Sequence, residues 1–178
     1  MVDTECELVD ELDDLDTPVV LDVQFERPAP PETRGFLMPP WCRPEDLAYS
    51  FMLPMETPSN NVIKGMHWMA YRNLRKTWRL KVQTRALAGR KPKEPIERAA
   101  LFIIRHCAGK LDWDNALGGL KPLQDCLVVR KPKVNPDGLG FIVDDNPDNM
   151  PYPPYMQQVI APPGKGFTEV FIYRLVAP

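Results

Sequence analysis

The apolar positions of this chain change period several times, and each change predicts an element. Leu47-Ala-Tyr-Ser-Phe-Met-Leu53 is a short β-type run that stops at Pro54, where the ring removes the N–H a strand needs. Pro58-Ser59-Asn60-Asn61 has the composition of a turn. From about Trp68 to Leu87, Tyr71, Leu74, Trp78 and Val82 recur at steps of three and four, which predicts a helix with one apolar stripe. Arg72, Arg75, Lys76 and Arg79 fall on one flank of that stripe. A loop over 89–95 leads to a second strand from Arg98 to Cys107, whose Leu101–Ile104 run predicts burial on both faces. A short helix follows Pro122, a residue suited to a first turn. Gly140-Phe-Ile-Val143 reads as a brief strand or turn. Met156–Ile160 and Thr168–Leu175 close the pattern, the latter alternating Val170, Ile172 and Arg174 against Phe171, Tyr173 and Leu175. This order of strands and helices defines a mixed α/β (α+β) domain.

The division is residues 1–45, an acidic and then Pro-rich N-terminal extension, and 46–178, the compact domain. Leu8, Leu12 and Leu15 lie at helical spacing in the acidic start, which forms a short helix or stays disordered. With 178 residues and 44% hydrophobic content, there is material for one real core. Many of the 21 prolines cluster in 28–58 and 147–163, stretches expected to be extended or irregular. No apolar run is long enough to cross a bilayer, and the acidic start fits no targeting pattern. Cys6, Cys42, Cys107 and Cys126 form no CxxC, which points to free thiols in a reducing compartment. Cys107 and Cys126 look like small buried hydrophobes. Only two histidines are present, so His-rich metal chemistry is excluded.

Charge changes the picture more than composition does. The net charge of −2 conceals eight acids and no cation in residues 1–16, against 17 Lys or Arg and five acids in residues 61–133. The middle of the chain suits a polyanion, and the start repels one.

The chemistry-bearing residues follow the second strand. If that strand continues through Asp112-Trp113-Asp114-Asn115, Asp112 and Asp114 share a face, because side chains alternate. The other reading is a helix cap, since Asp and Asn satisfy free N–H groups. Paired carboxylates attract a hard divalent cation, and Asp144-Asp145 supplies further carboxylates from another segment. Lys121 and its basic neighbours are suited to a phosphate. The 144–155 stretch is no EF-hand, because Asn149 and Tyr155 stand where glycine and glutamate are needed. Pro163-Gly-Lys-Gly166 is no P-loop, lacking Ser or Thr after its lysine, and reads as a hairpin turn. Trp78 is expected in the core, Trp113 packed inside, His67 on the surface and His106 as a satisfied core residue.

Taken together, four blocks over roughly residues 47–175 resemble the RusA-type Holliday junction resolvases. Tyr49-Ser-Phe-Met-Leu-Pro54 with Pro58-Ser-Asn-Asn61 resembles the family's first strand and PSNN turn. Asp112-Trp-Asp-Asn115 resembles its DxDN, Lys121 with Asp125 its central lysine and aspartate, and Gly140-Phe-Ile-Val-Asp-Asp145 its late segment. The resemblance implies a small RusA-like domain with a mixed sheet and two main helices, forming a homodimer on four-way DNA junctions. It implies a Mg²⁺-dependent endonuclease, with Mn²⁺ as a substitute, that resolves branched DNA by paired nicking. Asp112, Asp114 and Asp145 would hold the metal, with Asp144 beside them, and Lys121 would meet the scissile phosphate. Asn60 and Asn61 would border the site, and Arg72, Arg75, Lys76 and Arg79 would contact DNA. A cytoplasmic location in a bacterial or phage-infected cell follows.

The chain departs from that pattern at one point. Ala116-Leu-Gly-Gly-Leu120 intervenes before Lys121, adding about one helical turn, so the lysine can keep its direction. Alternatively, Gly118-Gly119 forms a phosphate-binding backbone nest. Two other functions stay open: a non-catalytic protein that binds branched DNA, and a metal-dependent nuclease acting on flaps or RNA.

Overall fold

The computed structural model describes residues 28–89 and 93–176. The predicted helical stretch around Leu8–Leu15 and part of the 89–95 loop lie outside them. The elements are β1 (Leu47–Leu53), α1 (Asn60–Lys64), α2 (Trp68–Gly89), β2 (Ala99–Cys107), α3 (Trp113–Gly118), α4 (Lys121–Leu127), β3 (Tyr155–Ile160) and β4 (Phe167–Arg174), with short 3-10 turns at Pro31–Arg34 and Pro44–Asp46. The result is the mixed α+β architecture that the pattern predicts. One four-stranded sheet has the order β1-β4-β2-β3. β4 runs antiparallel to both β1 and β2, whereas β2 and β3 are parallel.

Burial on both faces is what makes β2 central. Its odd positions, Leu101 and Ile103, join Phe51, Leu53, Val170 and Ile172 in a core with Trp78 and Val82 of α2 and Leu123, Cys126 and Leu127 of α4. The even positions, Ala100, Phe102 and Ile104, face the other way with Phe171 and Tyr173. Among the described residues, no helix covers that second face. The Pro-rich segment does: Cys42 is buried there, and Phe36, Met38, Trp41 and Leu47 pack against the cluster. Residues 28–46 therefore supply the second layer of the sandwich around the sheet. Trp41 is further fixed by stacking on Tyr152, with ring centroids 4.3 Å apart.

The Pro-rich layer is also held by charge. Glu169 of β4 is buried at 2% exposure. Its carboxylate accepts two hydrogen bonds from the Arg34 guanidinium, at 3.0 and 2.5 Å, and lies 2.7 Å from His106 Nε2. The His106 ring stacks on Phe167 at 3.8 Å, so this histidine is a satisfied inner residue as its place at a strand end suggests. The three described cysteines, Cys42, Cys107 and Cys126, are free and buried. Burial, with Asp137 nearby, pushes the Cys126 thiol up to about 12.

Three expectations are sharpened or decided by the fold. Residues Pro58–Asn61 do more than turn the chain, because Ser59 caps α1 by accepting a hydrogen bond from Val62 N. Gly140–Val143 forms no strand of its own. Ile142 instead makes isolated parallel bridges to Ile96 and Val128. Finally, β2 ends at Cys107, and Asp112 caps a helix rather than continuing the strand. No described helix is long and apolar enough to cross a membrane.

Replacing Glu169 with alanine leaves Arg34 and His106 without their shared acceptor. It is expected to cost about 3 kcal/mol, a typical value for breaking a buried ion pair. Urea denaturation measures the loss. Stability equal to the parent would show that the Pro-rich layer does not depend on this contact.

Candidate functional site

The segments that carry the candidate residues are brought together by groups outside the motifs. Arg105, only 5% exposed, points from β2 toward the helices. Its guanidinium donates to Glu56 Oε2 at 2.8 Å, to the Thr57 carbonyl at 3.1 Å and to the Gly109 carbonyl at 3.3 Å. One buried cation thus ties the chain just before Pro58 to the chain just before Asp112. Gln158 of β3 adds a second tie, accepting from Leu111 N and donating to Leu111 O, both at 2.8 Å. Neither residue was legible as a site organiser, because each works through a backbone partner far along the chain, Thr57 at 48 residues from Arg105 and Leu111 at 47 from Gln158.

The Asn-Asn turn and the DxDN block meet directly. Asp112 is the N-cap of α3, and its two carboxylate oxygens accept from Asn115 N at 2.9 Å and Asn115 Nδ2 at 3.1 Å. The Asn115 side-chain oxygen accepts from Asn61 N at 3.1 Å. Asn115 is therefore oriented at both ends, and Asn61, Asn115 and Asp112 form one hydrogen-bonded chain. Gly118 and Gly119 make the approach possible. A Cβ on Gly119 would stand 1.8 Å from the Pro58 carbonyl oxygen, and one on Gly118 would stand 2.4 Å from Asn60 Cγ. The glycine pair is thus covered by residues 58–60 rather than forming an open nest.

Lys121 opens α4 and faces the other acidic block. Its Nζ lies 2.9 Å from Asp125 Oδ1 and 2.6 Å from Asp145 Oδ2. The i,i+4 spacing of Lys121 and Asp125 puts both on one helical face. Partial burial pulls the ammonium down, but its hydrogen bonds to Asp145 and Asp125 outweigh that, and Lys121 sits above the usual lysine value. The charges continue inward in alternation: Asp125 lies 3.6 Å from Arg75 Nε, and Asp137 lies 3.2 Å from Arg75 Nη2. Beside this chain, Asp144 pairs with Lys131 at 2.7 Å and accepts from Asp145 N. That lysine contact holds the Asp144 carboxyl below the ordinary aspartate value, against the opposing effect of desolvation.

The predicted residues therefore fall into different surroundings. Asp114, in the first turn of α3, is exposed and has no ion-pair partner among the described residues. Arg72 and Lys76 are exposed on α2, while Arg75 and Arg79 are half-buried. Arg75 is committed to the inner ion chain and to Asn135 Oδ1 at 2.6 Å. Trp113 does not pack inside: it is 62% exposed, between the two aspartates on α3. The position is that of a helix start, so the alternation expected of a strand does not apply.

The donor chemistry of these acids suits a hard divalent cation, because every candidate ligand is a carboxylate. Their arrangement does not close around one. Among the described residues, no three acidic, histidine or cysteine side chains converge as a metal-binding group. The Asp112 oxygens are engaged by Asn115, and Asp145 and Asp144 are engaged by lysines. Neither a protein-family model nor a curated protein matches the chain.

The Asp144–Lys131 contact gives a pH-dependent expectation. A folded-state pKa below the unfolded value means that ionised Asp144 stabilises the fold above about pH 4, and that this contribution fades as pH falls through the lowered value. Lys131→Met should return Asp144 toward the ordinary value and narrow its stability difference from the parent as pH drops below about 4. Side-chain carboxyl NMR titration measures the shift. An Asp144 that titrates identically in both proteins would contradict the assignment.

Proposed function

We propose that this chain is a divalent-metal-dependent endonuclease that resolves four-way junctions or related branched DNA, working as a homodimer. The observation that carries the proposal is the hydrogen bond from Asn61 N to the side chain of Asn115, at 3.1 Å. It joins two of the four blocks, 54 residues apart, that resemble RusA-type resolvases. The Lys121 contact with Asp145 joins the two remaining blocks in the same way.

In this reading, Asp112, Asp114 and Asp145, with Asp144 beside them, would hold Mg²⁺, or Mn²⁺ in its place. Such an ion, when bound, supplies an activated water and neutralises charge at a phosphodiester. The chain's own residues bind and orient. Lys121, 52% exposed at its side chain, already spans two carboxylates and can redirect its ammonium to a phosphate oxygen. Arg72 and Lys76 offer exposed cations along α2 for backbone contacts. Exposed Trp68 and Trp113, at 64% and 62%, offer faces on which unpaired bases can stack.

A second reading has its own observation. The lysine and asparagine partners of Asp145, Asp144 and Asp112 satisfy the carboxylates without a metal. That arrangement favours a protein that binds branched DNA without cutting it. A nuclease acting on flaps or RNA shares the first reading's chemistry and differs in substrate.

Cleavage assays with labelled junction, flap, linear duplex and RNA in Mg²⁺ separate these. Paired symmetric nicks in the junction alone are expected. Asp112→Asn, Asp114→Asn and Asp145→Asn should each reduce cleavage to background while junction affinity is kept or increased. Full activity in any of the three would overturn the site assignment. Junction binding without cleavage in either Mg²⁺ or Mn²⁺ would establish the second reading instead.

A further inference from the structure

Between α4 and Asp144, the chain makes a hairpin that the motifs do not account for. Residues 129–136 carry Arg130, Lys131 and Lys133 and no acid. The loop is closed by Lys131 N to Asn135 O at 2.9 Å and Asn135 N to Lys131 O at 2.7 Å, with Val134 N also donating to Lys131 O. Pro132 and Pro136 restrict the backbone at either side of the tip. Below the tip, Gly138 lets the returning chain approach, since a Cβ there would stand 2.5 Å from the Val128 carbonyl oxygen.

The base of this hairpin is buried and polar, whereas its tip is open. Asn135 is 8% exposed and Asp137 7%. The Asn135 side chain donates to the Asp125 carbonyl at 2.7 Å and accepts from Arg75 at 2.6 Å. Asp137 binds the same arginine at 3.2 Å. The anchor is therefore the inner end of the charge chain that begins at Lys121 and Asp145. On the other side, Lys131 reaches Asp144 at 2.7 Å. The hairpin thus touches Asp144 through Lys131 and the Asp125 backbone through Asn135.

A loop that is merely solvated needs no half-buried arginine and two buried polar side chains to hold its shape. Here the ordering cost is met before any ligand arrives, which is what pre-organisation of a contact surface requires. The exposed charges are unbalanced as well. Lys131 is paired, but Arg130 and Lys133 have no acidic partner among the described residues. Val134, between them and the anchor, is 79% exposed, an apolar side chain left open among the described residues. Fixed cations around an apolar tip match a sugar–phosphate backbone, whose phosphates take the charge and whose sugars take the apolar contact.

We propose that residues 129–135 form a pre-organised clamp for the DNA backbone, with Arg130 and Lys133 as its phosphate contacts, set against the acidic site by Asn135 and Lys131. The proposal rests on the nucleic-acid reading given above and extends it to a surface outside the four blocks that carry the resemblance. The clamp would fix the position of a strand relative to Asp144 and Asp145, without reading its sequence.

The test measures binding of a fluorescent four-way junction by anisotropy over a series of salt concentrations, without divalent ions. The parent is compared with R130A/K133A and with a charge-matched control, R43A/K165A, which removes two exposed cations elsewhere. Losing two phosphate contacts should lower the slope of log affinity against log salt by about 2, with an affinity loss of about tenfold or more at low salt. The control should behave as the parent does, and thermal midpoints should agree in all three. Unchanged affinity and slope in R130A/K133A, beside a parent that binds or cuts DNA, would overturn the clamp alone. An equal loss in the control would also overturn it, since net charge would then explain the effect. A parent that binds without cutting, with the loss confined to R130A/K133A, would support the clamp and overturn the catalytic proposal. A parent that binds no DNA would overturn both.

Discussion

A strand that is apolar on both faces needs two covers, and β2 imposes that requirement on the rest of the molecule. Its backbone groups are satisfied by β4 on one side and β3 on the other. Its side chains demand α2 and α4 on one face and the Pro-rich segment on the other. Because β2 and β3 are parallel, they cannot be joined by a tight turn, and the chain must cross over between them. The crossover, residues 108–154, contains α3, α4, the basic hairpin and Asp144-Asp145. The connection that parallel pairing forces on the chain therefore carries most of the candidate site. Only Asn60, Asn61 and the exposed face of α2 come from elsewhere.

Charge then decides how the crossover is held. Two carboxylates next to each other repel, and the structure resolves this by alternation: Asp145, Lys121, Asp125, Arg75, Asp137. The outer end of this chain is partly exposed and the inner end is nearly buried. Pairs at the outer end contribute little to stability because water screens them, whereas those inside are costly to break. The same gradient suits exchange. In the proposed function, Lys121 and Lys131 would exchange a carboxylate for a phosphate at modest cost, while Arg75 stays where it is. Arg105 performs the matching task under the α1–α3 contact, holding two chain segments by their carbonyls. A site built in this way has rigid supports and exchangeable tips, and the hairpin anchored by Asn135 follows the same division.

The parts of this design that the sequence made legible are those set by local periodicity. β1 matches its predicted span, Leu47–Leu53, because Pro54 marks its end, and α2 follows the Tyr71–Leu74–Trp78–Val82 stripe. β2 showed its two-sided burial in the Leu101–Ile104 run, but nothing in that run says what covers each face. The cover from residues 28–46 depends on contacts such as Arg34 with Glu169, 135 residues apart. Asp112 was ambiguous between strand and cap because Asp-x-Asp-Asn fits both. The cap prevails where β2 ends at Cys107, and Trp113 consequently faces water. Arg75 looked like part of an exposed basic flank, since helical spacing reports a direction on α2 but not the presence of Asp137 and Asn135 opposite. By contrast, Lys121 and Asp125 were legible at four-residue spacing, and the path to Asp145 rested on the ordering of the blocks.

The proposed function needs the DxDN helix start and the Asp144-Asp145 segment to act as one cation-binding rim. Mn²⁺ titration followed by paramagnetic broadening of backbone amide NMR signals tests it without any assumption about substrate. The account predicts that signals from residues 112–115 and 144–146 broaden together at low Mn²⁺, and that Asp145→Asn removes the effect at both. Broadening at neither segment, or at one and not the other, would contradict it.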